Sequence, residues 1–166
     1  MRDLSIPAVA KISGQCLGGG LELALMCNVL FADKTAKLGQ PEINLGVFPP
    51  PASILMPLKL GYARAEELLL TGKSISAEEA KTIGLVNEVL EDKKALEEHI
   101  NKWIEDYILP KSASSLRMAV KATRIKFNHI LGNFLPQLEN LYVNQLMQTH
   151  DANEGIESFI EKRKSI

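Results

Sequence analysis

Two glutamates and a run of three glycines are the residues of this chain whose types and spacing could do chemistry. Gly18, Gly19 and Gly20 run directly into the apolar segment LELALMC, and Glu22 follows the last glycine by two positions. A strand that passes through glycines into a helix leaves the first helical N–H groups unpaired and pointing outward. The helix dipole adds partial positive charge there, and a missing Cβ lets a ligand approach the backbone. Such a terminus suits a phosphate or a developing oxyanion. The glycines are not followed by the Gly-Lys-Ser/Thr ending of a phosphate loop, and they do not form GxGxxG. A first-turn glutamate would repel a dianionic phosphate, but it tolerates a neutral carbonyl whose oxygen gains charge only during reaction. Glu22 therefore tilts the segment toward carbonyl chemistry. The same residues would also serve tight helix–strand packing, with Glu22 acting only as a partner of the dipole.

The second carboxylate, Glu42, stands in GQPEINLG beside Pro41, Ile43 and Leu45. A constrained, partly apolar setting raises a carboxyl pKa by desolvation and makes it a proton donor near neutral pH. If the two glutamates converge on one carbonyl they form an acid/base pair. Spacing alone leaves open that Glu42 is a solvated loop residue.

The elements that must position these groups fall into two halves. Residues 1 to about 90 mix short β-branched runs with glycines and prolines, and the rest reads as successive helices. IPAVAKI (6–12) and VLFAD (29–33) predict strands, and LELALMC (21–27) a buried helix. AKLGQPEINLGVFPPP (36–51) predicts strand pieces and loop. ASILMPLKLG predicts a short helix, and ARAEELLLTG a helix stopped by Gly72. Ser76 and Glu79 form a capping box for the next helix, and LVNEVL returns as a strand. Beyond residue 92, Leu96, Ile100, Trp103, Ile104 and Tyr107 share one helical face, which reads as packing. A second helix is expected through SASSLRMAVKATRIKF and a third through FLPQLENLYVNQLMQ, with Pro136 in its first turn. NEGIESFIEKRK completes the chain as a short fourth helix. The sheet cannot bury a face of all four, so some are expected to pack on one another or on a neighbouring subunit.

Composition narrows the function classes. Of 166 residues, 46% are apolar and 23% charged, ordinary values for a globular protein. Nineteen basic against 20 acidic residues give a net charge of −1, which offers nothing to a nucleic acid or an anionic membrane surface. Cys16 and Cys27 form no CxxC pair and have no histidine cluster, so neither a metal site nor a disulfide framework is expected. Free buried thiols, the lack of a secretory signal pattern and the lack of a membrane-span run suggest a cytoplasmic protein. His99, His129 and His150 read as surface residues. Lys162, Arg163 and Lys164 read as a solvated helix end, with contact to substrate phosphates as the alternative.

The segment IPAVAKISGQCLGGGLELALMCNVLFADKTAKLGQPEINLGVFP, together with LLLTGKSISAEEAKTIGLVNEVL and EGIESFIEKRK, strongly resembles the crotonase family of enoyl-CoA hydratases and isomerases. The resemblance spans almost all of the chain, and its paired LGGGxE and GQPExxLG motifs are far more specific than a lone triple glycine. It implies an α/β fold, the crotonase spiral of short strands and helices, lacking the family's N-terminal portion. Residues 1–90 would be a partial crotonase core and 91–166 a helical trimerisation region. By the same resemblance Gly19 donates its N–H to the thioester oxygen, Glu42 exchanges the α-proton and Glu22 holds and activates water. Gly18, Gly20, Pro41, Leu45, Phe48 and Pro50 would line the substrate site. The implied activity is that of a lyase adding water to an enoyl- or cyclic dienoyl-CoA thioester. It needs no metal or cofactor beyond the CoA of the substrate. A homotrimer or hexamer is implied, with no nucleic-acid or membrane partner.

Two departures bear on that expectation. Where family hydratases carry a glycine-rich stretch after LG, this chain has FPPPAS (48–53), whose prolines reshape the pocket wall. The surrounding GVFPPPASILMPLKLGYARAEELLLTG is similar to a subgroup, the cyclohexa-1,5-diene-1-carbonyl-CoA hydratases. The chain also begins at the point where family members already have earlier strands, a second oxyanion donor and part of the CoA loop. An exposed edge or apolar surface is expected as a result. Alternatives are an isomerase or hydrolase of the same fold, or a truncated module that does not turn over.

Overall fold

The computed structural model describes residues 3–164. Within them, two three-stranded sheets carry the first half of the chain. β1 (Val9–Ile12), β3 (Val29–Asp33) and β6 (Glu88–Leu90) run parallel in the order β1-β3-β6, with Val9 opposite Val29 and Phe31 opposite Glu88. In the second sheet β4 (Lys37–Gly39) lies between β2 (Gln15–Leu17), to which it is parallel, and β5 (Ser74–Ser76), to which it is antiparallel. Parallel neighbours need crossovers. Helices α1 (Gly19–Leu25), α2 (Pro50–Leu60), α3 (Tyr62–Thr71) and α4 (Ala77–Thr82) fill these connections, and the chain spirals between the sheets.

The core is aliphatic. Leu21, Leu25, Leu30, Leu38, Leu55 and Met56 are fully buried in one cluster drawn from both sheets and from α1 and α2. VLFAD forms the central strand β3 because a parallel strand covered on both faces tolerates a near-continuous apolar run. The other face of the first sheet is closed by α5 (Lys93–Tyr107), whose Leu96 and Ile100 pack on Phe31. Ser76 caps α4 by accepting from the Glu79 N–H at 3.2 Å, and the Glu79 carboxylate accepts from the Ser76 N–H at 2.8 Å.

Three expectations change. Gln15–Leu17 and Ser74–Ser76 are strands that carry no periodic signal, because three residues are too few to show one. α2 begins two residues earlier than ASILMPLKLG suggests, at Pro50. Proline suits a helix's first turn, where its missing N–H would have no partner anyway. The expected second and third C-terminal helices are one 32-residue helix, α6 (Ala113–Asn144), with Pro136 in its interior. Proline removes one backbone bond and crowds the carbonyl four residues back; that residue is Gly132, and the helix continues through it. The chain closes with α7 (His150–Ile160).

Candidate active site

The site is built around the amino end of α1. Gly18 caps it with φ +55°, donating its N–H to the Gly39 carbonyl at 3.0 Å and accepting the Glu22 N–H at 3.0 Å. Since Glu22 closes the first helical bond, the amides of Gly19, Gly20 and Leu21 have no partner within the helix. Open space adjoins two of them, for a Cβ at Gly19 or Gly20 would meet nothing within 4 Å.

Glu22 is half-buried one turn into α1, and its Oε1 accepts the Ala52 N–H at 3.0 Å. Ala52 is the first residue of α2 with an N–H to give, because Pro50 and Pro51 have none. The proline run thus aims the positive end of α2 at Glu22. Burial pushes the Glu22 carboxyl above its ordinary pKa, and the Ala52 hydrogen bond draws it part of the way back. Glu42 lies in a 3-10 turn, Pro41–Leu45, that starts on proline and ends on Gly46 at φ +71°. Burial raises its pKa, its own backbone N–H opposes this, and the charge of Glu22 raises it further. Glu42 therefore lies within the electrostatic field of Glu22. Gly18 stands directly against Glu42, since a Cβ there would stand 2.6 Å from Glu42 Oε1.

Sequence reasoning passed over Gln40. It is completely buried, and with its amide nitrogen toward Glu42 it donates to both carboxylate oxygens, at 3.0 and 3.1 Å. Turned over, the amide oxygen would suit only a protonated Glu42, whose O–H could donate to it. Gln40 can therefore match either protonation state of its neighbour. The signal available in the sequence was a long polar side chain between Gly39 and Pro41, immediately after a strand.

The other expected lining residues are dispersed around this centre. Pro41 opens the Glu42 turn, and the Leu45 backbone meets α7. Phe48 packs edge-on against Tyr142 of α6, with ring centroids 5.5 Å apart. Pro50 opens α2. Gly20 faces a 360 Å³ cleft shared with Val9, Ile12, Cys16 and Leu23, beside the unpaired edges of β1 and β2. Away from the site, Trp103 packs against Phe31 and Tyr107. His99 is not a surface residue: it is half-buried, edge-on to Phe31 at 5.0 Å. Arg163 pairs with Glu154 and Glu161 at 2.9 and 2.6 Å. Both cysteines are free and buried. Among the described residues no helix is long and apolar enough to cross a membrane, and no cluster of three metal-ligating side chains occurs.

The family model for enoyl-CoA hydratase/isomerase matches residues 1–166. The chain belongs to the enoyl-CoA hydratase/isomerase family. It is 46% identical over 165 residues to the cyclohexa-1,5-dienecarbonyl-CoA hydratase of Thauera aromatica, covering 99% of this chain and 63% of that protein. It is 41% identical over 158 residues to a probable enoyl-CoA hydratase, echA8, of Mycobacterium tuberculosis, covering 95% and 60%. The crystal structure of an enoyl-CoA hydratase from Mycobacterium avium subsp. paratuberculosis superposes with a TM-score of 0.87 at 27% identity, over 99% of this chain and 66% of that one. The crotonase fold is thereby established for this chain. It spans about three fifths of the length of the curated relatives it matches.

Proposed function

We propose that this crotonase-family chain carries the acid/base half of an acyl-CoA hydratase, a lyase that adds water to an enoyl- or cyclic dienoyl-CoA thioester. The observation that carries the reading is the pair of half-buried carboxyls, Glu22 and Glu42, beside the free amides at the head of α1. Polarisation of the thioester carbonyl by the Gly19 amide would stabilise an enolate-like oxyanion. Glu42 would exchange the proton at the α-carbon, and Glu22, held by the Ala52 amide, would orient and deprotonate water. The resulting step moves only protons and water, so CoA enters as part of the substrate and no redox group takes part. Retention of both carboxyls favours hydration over isomerisation or hydrolysis. The likeness to the Thauera protein favours a cyclic dienoyl acyl group, and Gly18, Gly20, Pro41, Leu45, Phe48 and Pro50 would form the wall around it. Assembly into a homotrimer or hexamer is part of the reading, supported by the apolar side chains that α6 leaves exposed.

The test is hydration of crotonyl-CoA and of cyclohexa-1,5-diene-1-carbonyl-CoA by the purified chain. Glu42→Gln should reduce turnover by at least about 10²-fold, the lower end of what a positioned general acid or base contributes. A second reading, a folded module that assembles without turning over, is supported by the share of the relatives' length that this chain spans. Self-association with no hydration of either thioester would favour the module.

A further inference from the structure

The turn that carries Glu42 is closely approached by glycines from three different elements. At Gly18, the cap of α1, a Cβ would stand 2.6 Å from Glu42 Oε1. At Gly72, the cap that ends α3, it would stand 2.8 Å from the side chains of both Ile43 and Asn44. At Gly155, inside α7, it would collide with the Leu45 carbonyl, 2.6 Å from its carbon and 3.2 Å from the Leu45 Cα. The contact is reciprocal, because a Cβ at Gly46 would stand 2.9 Å from the Asp151 carbonyl oxygen of α7. Backbone therefore lies on backbone between α7 and the turn, with Ala152 and Ser158 buried on the same helix face. The residues that follow α7 fold back on it, with Arg163 paired to Glu154 of the same helix.

We infer that α7 is a clamp that positions Glu42, and that Gly155 is the positioning residue on which the clamp closes. The inference rests on the reading of Glu42 as the proton-transfer group and extends it to a helix more than a hundred residues away in sequence. The physical reason is confinement. On the sides of Gly18 and Gly72 the side chains of Glu42, Ile43 and Asn44 already lie close, so the turn has little room to move away from α7. Anything that thickens α7 at residue 155 must therefore lift the helix. Lifting the helix admits water to the turn, which relieves the burial that keeps the Glu42 carboxyl above its ordinary pKa. The turn's internal bonds, Gly46 N–H to the Ile43 carbonyl at 3.0 Å and Val47 N–H to the Glu42 carbonyl at 3.2 Å, would open more often as well.

The experiment is an NMR titration of the Glu42 side-chain carboxyl in the full chain, with amide exchange measured at Gly46 and Val47. In Gly155→Ala the Glu42 pKa should fall toward the ordinary carboxylate value and both amides should exchange faster, while the amides of β1, β3 and β6 keep their protection. Ala152→Gly loosens the same face without a clash and should shift both readouts in the same direction, which keeps the test open if Gly155→Ala does not fold. An unchanged Glu42 pKa with unchanged exchange at Gly46 and Val47 in the folded variant overturns the clamp. Neither readout needs turnover, so an inactive chain would sink the hydratase reading and leave this test standing. Where hydration is measured, Gly155→Ala should lower kcat by about 10²-fold, the cost of a 1 Å misplacement, with KM unchanged.

Discussion

At the residue scale, the two carboxyls show how one fold gives two groups of the same type different work. Glu22 faces the amino end of α2 and accepts a backbone N–H, which favours its ionised form. Glu42 has the buried amide of Gln40 and the charge of Glu22 for neighbours, and the latter opposes ionisation. Both pKa values lie above the ordinary range because burial penalises the charged form. The sign of the effect on stability follows from proton binding. Above the ordinary carboxylate pKa the native state still holds protons that the unfolded chain has released, so these groups favour folding at low pH. That contribution is lost as pH rises through the raised folded-state values. Glu42→Gln, which cannot ionise, should therefore raise the melting temperature at neutral pH, and the gain should vanish below about pH 4. Thermal melts of both proteins across pH would check this. A gain that grew on acidification would contradict the assignment.

At the element scale, short-range signals decided some boundaries, and tertiary packing decided what the elements support. The capping box of α4 is complete, with Ser76 and Glu79 each accepting the other's backbone N–H. Ser76→Ala should cost about 1 kcal/mol, read as a lower urea midpoint with unchanged slope. The proline run shows how local chemistry acquires a tertiary purpose. Pro50 and Pro51 start α2 without spending an N–H, and the first amide they leave is the one that Glu22 accepts. The residue types at 50 and 51 read as loop; the path of the chain made them a helix start and brought that end to Glu22. The same holds for α7, which reads as an ordinary amphipathic helix until Gly155 is seen against Leu45.

At the scale of the whole molecule, the described surface leaves apolar side chains uncovered. On α6, Met118 and Ile125 are 63% and 71% exposed and stand seven residues apart, on one helix face. Ile125→Lys should shift the chain toward monomer in sedimentation velocity without loss of helical content. Equal sedimentation of the two proteins would place the contact elsewhere. Much of this was legible along the chain. Glycine conformational freedom, the Ser76 cap and the apolar run of β3 are local, so they could be read along the chain. LGGGxE and GQPExxLG fixed the family because each pairs a backbone requirement with a carboxylate. Features that need two distant segments to meet emerged from packing alone. Glu42 lies in the field of Glu22, Gln40 turns its amide to Glu42, and three glycines close on one turn. Pro136 continues a helix it was expected to begin. Contacts of that kind are set by packing around a common core, and no local pattern encodes the partner across the gap.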